Sequence, residues 1–201
     1  TQAAEPSTIP RDNVYNIHTT TAYSEYGLVV STLRGASNVL NFKRWNTWGA
    51  ANMVTNRAYP PTRTFAWTFE NSLDAALSLE GHSYGNGAYT TRVSGSHASA
   101  YPPWDLFQDG NGVGGHWPSN QYTSGVYQTT GSASLDGINK GDWITIKHHG
   151  PFVMKQFQFR ERGSYPHRMP GKFKIYGRNY DDPWTVVYTC LLSTSYAADY
   201  P

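Results

Sequence analysis

Ser83 stands in the segment Gly81-His-Ser-Tyr-Gly85, which has the G-x-S-x-G spacing of a hydrolase nucleophile. A serine in that motif works only where a strand turns sharply into a helix and lifts the hydroxyl above a parallel sheet. The residues that follow, 86–91, have the composition of a turn and a strand instead. We therefore interpret residues 81–85 as a glycine-rich turn between strands.

A second glycine pattern, at residues 110–115, has the spacing G-x-G-x-x-G. In a dinucleotide-binding fold this pattern follows a strand and opens a helix, whose first turn meets the pyrophosphate. His116-Trp-Pro-Ser119 comes next here, and its proline is a poor continuation for a helix. The pattern therefore indicates a loop.

The other titratable residues do not have the spacing of a catalytic or zinc site. His148 and His149 are adjacent, and the single cysteine, Cys190, is all that could join them as a thiolate ligand. Asp181 and Asp182 are also adjacent, and neighbouring side chains of an extended chain point to opposite sides, unlike a glycosidase pair. We expect that the chain is not an enzyme.

The composition favours β structure around these residues. The 201 residues include 15 Tyr, 7 Trp, 19 Gly and 12 Pro, with only 15% charged residues. Aromatic residues suit pleated surfaces, and Gly and Pro supply the turns between strands. The formal net charge of +2, without a run of Lys or Arg, argues against nucleic-acid binding. No stretch approaches the roughly 20 apolar residues of a membrane span.

Short alternating segments, mostly at intervals of about ten residues, predict an all-β fold, an antiparallel β-sandwich. The segments 142–147, 156–160 and 172–177 alternate as strands that are buried on one side. One helical turn is expected within residues 70–79, and Trp117 and Trp143 are expected to fill the space between the sheets. The predicted strands are residues 26–31, 38–45, 63–69, 88–93, 142–147, 153–160, 172–177 and 185–188.

Five segments in fixed order then carry a family resemblance. They are the segment Leu79 to Tyr89, which resembles the family's opening strand, Trp104-Asp-Leu-Phe-Gln-Asp-Gly-Asn111, His116-Trp-Pro-Ser119, Gly141-Asp-Trp-Ile-Thr-Ile146, and the arginine-containing run from Phe159 through Arg168 to Asn179, with Trp184 to Val187 closing it. Over residues 77–190 the chain resembles the discoidin-like, coagulation-factor C-type domain. That resemblance implies an eight-stranded jelly roll of the galactose-binding-like group.

The resemblance implies a non-catalytic recognition or adhesion module. Relatives bind glycans, lipid head groups or proteins through loops at one end of the sandwich. The candidate ligand residues are Arg160 and Arg168, which could grip an anion, and the loop aromatics Tyr101, Trp104, Tyr122, Tyr165 and Tyr180. Asp109 and Asn111 resemble the loop in which many relatives hold calcium. For all of these residues the alternative is a purely structural role.

The closing strands of that family have their counterparts at the wrong end of this chain. Tyr23 to Val30 and Leu40 to Gly49 match the usual ending, which is missing after Trp184. The predicted parts are therefore residues 1–49 as closing strands, 50–76 as a connection with one strand, and 77–201 as the main sandwich. The closing strands either complete their own permuted domain or, as we favour, a neighbouring repeat. In either case Leu28, Val30, Leu40 and Phe42 should be buried.

These patterns predict a structural and adhesive module of a repetitive extracellular or virion-surface assembly. Similar domains recur in large surface proteins, including those of giant DNA viruses. The partners would be other copies or neighbouring repeats and glycans, with calcium as the one metal that the resemblance suggests. The alternative is a carbohydrate-binding module attached to a polysaccharide-active enzyme.

Overall fold

A computed structural model describes residues 12–51, 56–61, 68–71, 73–95, 103–107, 121–128, 134–163 and 165–191. The strands are β1 (Asp12–Asn16), β2 (Tyr23–Val30), β3 (Arg44–Ala50), β4 (Arg57–Ala58), β5 (Thr68–Asn71), β6 (Asp74–Leu79), β7 (Gly87–Val93), β8 (Tyr122–Thr123), β9 (Val126–Tyr127), β10 (Asp142–Arg160), β11 (Phe173–Arg178) and β12 (Thr185–Cys190). Short 3₁₀ turns at Pro103–Phe107 and Pro166–Arg168 are the helical elements of these residues. The strands pair antiparallel. The prediction of an all-β chain is confirmed at this level.

Strand β10 belongs to two sheets at once. Its first part pairs with β2 and β7, in the sheet order β12-β11-β2-β10-β7-β6-β5. Its second part lies between β1 and β3, and β4 extends that sheet. The register shifts between Lys147 and Phe152, where Pro151 lacks an N–H for the ladder. Two strands were predicted here; the structure has one strand of 19 residues with an irregularity at its centre.

The Tyr26 side chain satisfies backbone groups next to that irregularity. Its hydroxyl donates to the carbonyl oxygen of Phe152 at 2.7 Å and accepts from the N–H of Met154 at 3.1 Å. Tyr26 is fully buried, so these bonds replace hydrogen bonds that water would otherwise make. These two backbone groups of β10 therefore stay hydrogen-bonded at the irregularity, so it costs the strand little stability.

Aromatic rings fill the space between the two sheets, which gives the molecule its β-sandwich-like character. The ring of Tyr15 on β1 stacks on Phe157 of β10, with 4.8 Å between centroids. It also meets Phe173 of β11 edge-on at 5.4 Å. Phe159 contacts Phe173 in the same way at 5.2 Å. Each buried aromatic side chain of this kind contributes about 1.5–3 kcal/mol through removal of apolar surface from water.

The N-terminal strand β2 is central in its own chain's sheet. It pairs with β10 on one side and β11 on the other. Leu28, Val30, Leu40 and Phe42 are fully buried, and this part of the prediction is confirmed. Residues 1 and 201, whose proximity was expected for a permuted domain, lie outside the described residues.

Two local predictions were wrong. Residues 74–79 form strand β6 instead of a helical turn, because Ala75, Leu77 and Leu79 repeat with a period of two and all face the core. Residues 38–43 are irregular, and the strand begins only at Arg44. Of the strand predicted at 63–69, the structure describes only Thr68 and Phe69, which belong to β5.

The prediction of burial on one side fails for β11 and for the first part of β10, which are buried on both sides. Trp143, expected in the core, is only half-buried, whereas Tyr176 on the outer face of β11 is fully buried. The reason is a loop at residues 134–140 that covers this outer face: its Asp136 accepts a hydrogen bond of 2.8 Å from the Tyr176 hydroxyl. Trp117 lies outside the described residues.

Candidate functional site

Several arginine residues lie at the end of β10 and in the segment that follows it. Arg160, the last residue of β10, is opposite Arg44 of β3 and opposite Asp12 of β1. Two further arginines, Arg162 and Arg168, follow within eight residues. We call Arg160, Arg162, Tyr165 and Arg168 the arginine–tyrosine corner.

Two consecutive turns bring Arg162, Tyr165 and Arg168 together. The N–H of Tyr165 donates to the carbonyl of Arg162 at 2.7 Å, and the N–H of Arg168 donates to the carbonyl of Tyr165 at 3.0 Å. Pro166 starts the 3₁₀ turn, where its missing N–H costs no hydrogen bond. Met169 follows fully buried and anchors the turn to the core. Tyr165 is thus placed between two arginines in sequence and in space.

A segment from the N-terminal half of the chain supports these turns. The N–H of Arg34 donates to the carbonyl of Met169, and the N–H of Gly35 donates to that of His167, both at 3.0 Å. Gly35 is needed for this approach, because a Cβ there would lie 2.8 Å from the Cβ of His167. The N–H of Asn41 donates to the carbonyl of Arg168 at 2.9 Å. The backbone of the corner is therefore fixed on both sides.

The two arginines of the turns stack on the same ring. The guanidinium carbon of Arg168 lies 4.1 Å from the ring centroid of Tyr165, and that of Arg162 lies 5.0 Å away. Such cation–π contacts hold a guanidinium in place without using its N–H groups as donors, although the Nε of Arg168 is itself buried. Within the part of the chain that the structure describes, neither arginine forms an ion pair with a carboxylate.

Arg160 has only a weak counter-charge. Its Nε lies 3.6 Å from an oxygen of Asp12, and both side chains are more than a third exposed. An exposed pair of this length contributes little attraction. The corner therefore carries more positive than negative charge.

A nearly buried ion pair between Arg34 and Glu161 connects the end of β10 to the segment that supports the corner. Arg34 donates to a carboxylate oxygen of Glu161 at 2.6 Å, with side-chain exposures of 15% and 5%. The same guanidinium donates to the side-chain oxygen of Asn13 at 2.7 Å. Glu161 is thus committed to Arg34 and connects the end of β10 to the supporting segment and to β1.

The positive charge of Arg168 affects the pKa of the neighbouring His167. Partial burial lowers the pKa of its imidazole, and the charge of Arg168 lowers it further. An imidazole with a pKa below its ordinary value is neutral at neutral pH. His167 therefore adds no positive charge there, and an anion bound beside it would raise its pKa.

The structure places the other predicted ligand residues differently. Tyr122 is only 2% exposed, and its hydroxyl donates to the carbonyl of Val30, so it is not the exposed loop aromatic that was expected. Trp104 lies in the first 3₁₀ turn and packs against the core. Tyr180 is 79% exposed in the turn after β11. Tyr101, Asp109 and Asn111 lie outside the described residues.

Arg162 is the residue of this candidate site that the sequence analysis did not select. Arg160, Arg168 and Tyr165 were selected, but Tyr165 was expected to offer a free face to a sugar. Its ring holds guanidinium groups instead. The spacing R-x-x-Y-P in residues 162–166 was the available signal, since a proline after the tyrosine favours a turn.

The Ser83 motif lies in a turn that is followed by a strand. Residues 81–86 form a turn in which the N–H of His82 and its carbonyl both bond the side chain of Asn86. Strand β7 follows, where a nucleophile elbow would have a helix. Among the described residues no three His, Cys, Asp or Glu side chains group as metal ligands. No helix among those residues has the length and apolar character to cross a membrane.

Comparisons of the chain with protein-family models, with curated proteins and with solved structures found no match. Function must therefore be inferred from the site itself.

Proposed function

We propose that this chain is a non-catalytic recognition and adhesion module that binds acidic polysaccharides at the arginine–tyrosine corner. The carboxylates of uronic-acid units are the groups that it takes. The module acts on an extracellular or virion surface, displayed in several copies. Its relationship to discoidin-like domains is part of this proposal.

The stacking of Arg162 and Arg168 on one ring, without a carboxylate partner among the described residues, is the observation that carries the proposal. A guanidinium presents a rigid fork of N–H donors whose geometry matches a planar carboxylate. Two such forks, held by fixed turns, lose little side-chain entropy when a ligand binds. Structural arginines are ordinarily tied to carboxylates or carbonyls, so the pair at this corner favours a ligand.

Display of the module in several copies raises the overall affinity of the corner for a polysaccharide. One carboxylate held by two arginines on a partly exposed surface is a weak ligand, because salt and water screen the charges. A polysaccharide repeats that carboxylate along its length. Copies of the module on one surface then bind it together, and the second contact is favoured by effective concentration.

Loss of both stacked arginines should weaken this binding strongly. The double variant Arg162→Gln/Arg168→Gln keeps side chains of moderate length but removes both forks. We expect its affinity for an oligouronate to fall at least about 100-fold, since each of the two charged hydrogen-bonding contacts is worth about 1.5–3 kcal/mol. Calorimetric titration with the oligouronate and with its neutral, reduced counterpart measures the effect.

The matched control is Arg92→Gln/Lys147→Gln, which removes the same charge from two exposed positions on β7 and β10. It should bind like the wild type apart from a small electrostatic change. Equal losses in both double variants would mean that net charge alone attracts the ligand. Unchanged binding in the first variant, or equal affinity for the neutral oligosaccharide, would contradict the proposal.

A further inference from the structure

A small cleft lies over strands β2, β11 and β12 of the larger sheet. It has a volume of about 120 Å³ and is lined by Lys140, Lys172, Lys174, Ser31, Thr189 and Leu191, among others. Its floor includes neighbouring positions on three strands: Val29 of β2 is the register partner of Lys174 on β11, and Lys174 is the partner of Thr189 on β12. Side chains of such a row point to the same face of a sheet.

The loop at residues 134–140 forms one wall of the cleft, and Asp136 makes this wall rigid. Its carboxylate accepts the backbone N–H groups of Ile138 at 2.9 Å and Asn139 at 2.7 Å, and the hydroxyl of Ser134 at 3.1 Å. Burial raises the pKa of Asp136, but the hydrogen bonds from Asn139, Ile138 and Tyr176 outweigh it and lower the pKa overall. Asn139 is thereby fixed in the position where it lines the cleft.

The charge around the cleft is one-sided. Three lysines line it, and no lining residue is an aspartate or glutamate. Lys174 donates from Nζ to the side-chain oxygen of Asn139 at 2.6 Å, a neutral partner that leaves the ammonium charge uncompensated. Asp136 is the carboxylate next to this wall, and its oxygens are already occupied by the donors of the loop and of Tyr176.

We propose that the cleft binds a small tetrahedral oxyanion ester, a phosphate or sulfate monoester of a short polyol or sugar. Lysine ammonium groups are compact point charges that suit such oxyanions, whereas the forks of the corner suit planar carboxylates. A volume of about 120 Å³ is well above the roughly 10–15 Å³ that a cavity needs to hold one water molecule, which leaves room for an oxyanion and a short carbon segment. Leu191 and the lysine stems provide the apolar wall for that segment.

This site is separate from the arginine–tyrosine corner. No residue of the corner lines the cleft. The cleft suits tetrahedral anions, whereas the corner suits planar carboxylates. An experiment can therefore disprove binding at one site without bearing on the other. The inference therefore does not depend on the proposed function.

Calorimetric titration of the whole chain with glycerol 3-phosphate, glyceryl sulfate, inorganic phosphate and glycerol tests the inference. We expect saturable binding of an ester with a stoichiometry of one and none of glycerol. The variant Lys172→Gln, at an exposed position, should bind about tenfold more weakly, the loss of one charged contact. Lys174→Gln should lose more, and its melting temperature shows whether the wall stays folded without the bond to Asn139.

The controls separate the two sites. Lys147→Gln, on the exposed side of β10 outside the cleft, should bind the ester like the wild type, as should Arg162→Gln/Arg168→Gln. A preference for phosphate over sulfate, or the reverse, identifies the ester. Equal affinity of Lys172→Gln and Lys147→Gln, no saturation with either ester in the millimolar range, or loss of binding in the arginine variant would overturn the inference.

Discussion

Replacement of Glu161 by glutamine should lower the free energy of unfolding by about 3–5 kcal/mol, because it breaks a nearly buried ion pair by removing the charge of one partner. Arg34 and Glu161 are 15% and 5% exposed and 2.6 Å apart. The pair also joins the end of β10 to the segment that supports residues 167–169. Chemical denaturation at neutral pH measures the loss.

Asp12→Asn provides the matched control on the neighbouring arginine. Asp12 and Arg160 are 3.6 Å apart and both more than a third exposed, so its loss should cost under about 1 kcal/mol. A loss for Glu161→Gln as small as that for Asp12→Asn would contradict the supporting role of the buried pair. The Glu161 variant should also weaken oligouronate binding, since it loosens the corner without removing an arginine of it.

His148 should make the protein increasingly unstable in mild acid. Its ring is buried within β10, 4.7 Å from Phe152, 5.5 Å from Tyr89 and 6.1 Å from Tyr26 between centroids. Neither ring nitrogen has a hydrogen-bond partner among the described residues. Burial, together with the smaller effect of the charge of His149, lowers the pKa of His148 from 6.5 to about 3.

The sign of the pH effect follows from where the proton binds. Above pH 6.5, the ordinary pKa of the unfolded chain, His148 is neutral in both states and has no effect. As the pH falls toward about 3, the unfolded state takes up a proton that the folded state refuses. Stability then falls by about 1.4 kcal/mol per pH unit through this residue alone.

The variant His148→Phe should remove this slope. We expect its free energy of unfolding to match or exceed that of the wild type at neutral pH, because the orphaned nitrogens disappear while the ring contacts remain. At about pH 4.5 it should be more stable than the wild type by roughly 2–3 kcal/mol. Urea denaturation at a series of pH values measures both quantities.

His149→Phe is the neighbouring control, because His149 is largely exposed and burial lowers its pKa to a smaller extent. Its variant should keep most of the acid sensitivity. Identical pH profiles for the wild type and His148→Phe would show that His148 can accept a proton within the folded state, contrary to this account.

The sequence was sufficient wherever the period of side chains decides the structure. Strands β7 and β11 were predicted within a residue of their bounds, because Tyr89, Thr91 and Val93, or Phe173 and Ile175, repeat with a period of two. The continuity of β10 was not predictable in this way. Gly150 and Pro151 interrupt the local pattern, and only the pairing of both halves with other strands, together with the Tyr26 bonds, keeps the strand extended.

Contacts with segments distant in sequence explain why the burial of Trp143 and Tyr176 differs from the expectation. Trp143 looked like a core residue and Tyr176 like a surface residue, since the period fixes which side chains share a face but not which face is covered. The loop at residues 134–140 buries Tyr176 on the outer face through Asp136. Nothing local to strand β11 indicates that loop.

The candidate site was predictable only in part. Arginine and tyrosine types at positions 160, 165 and 168 suggested an anion site. The role of Arg162 depends on the turn that stacks it on Tyr165, and the turn depends on Arg34 and Gly35, more than a hundred residues earlier. Neighbours so distant in sequence cannot be inferred from one chain without its fold.

Binding at the arginine–tyrosine corner is tested most directly by nuclear magnetic resonance of the arginine side chains during titration with a uronic-acid oligosaccharide. The Nε–Hε signals of Arg162 and Arg168, assigned through the single glutamine variants, should shift together and saturate, while that of Arg92 stays in place. The pKa of His167 should rise in the same titration, because a bound carboxylate offsets the charge of Arg168. Saturable binding that leaves the Arg162 and Arg168 signals unmoved, or no binding at all, would contradict the proposed function.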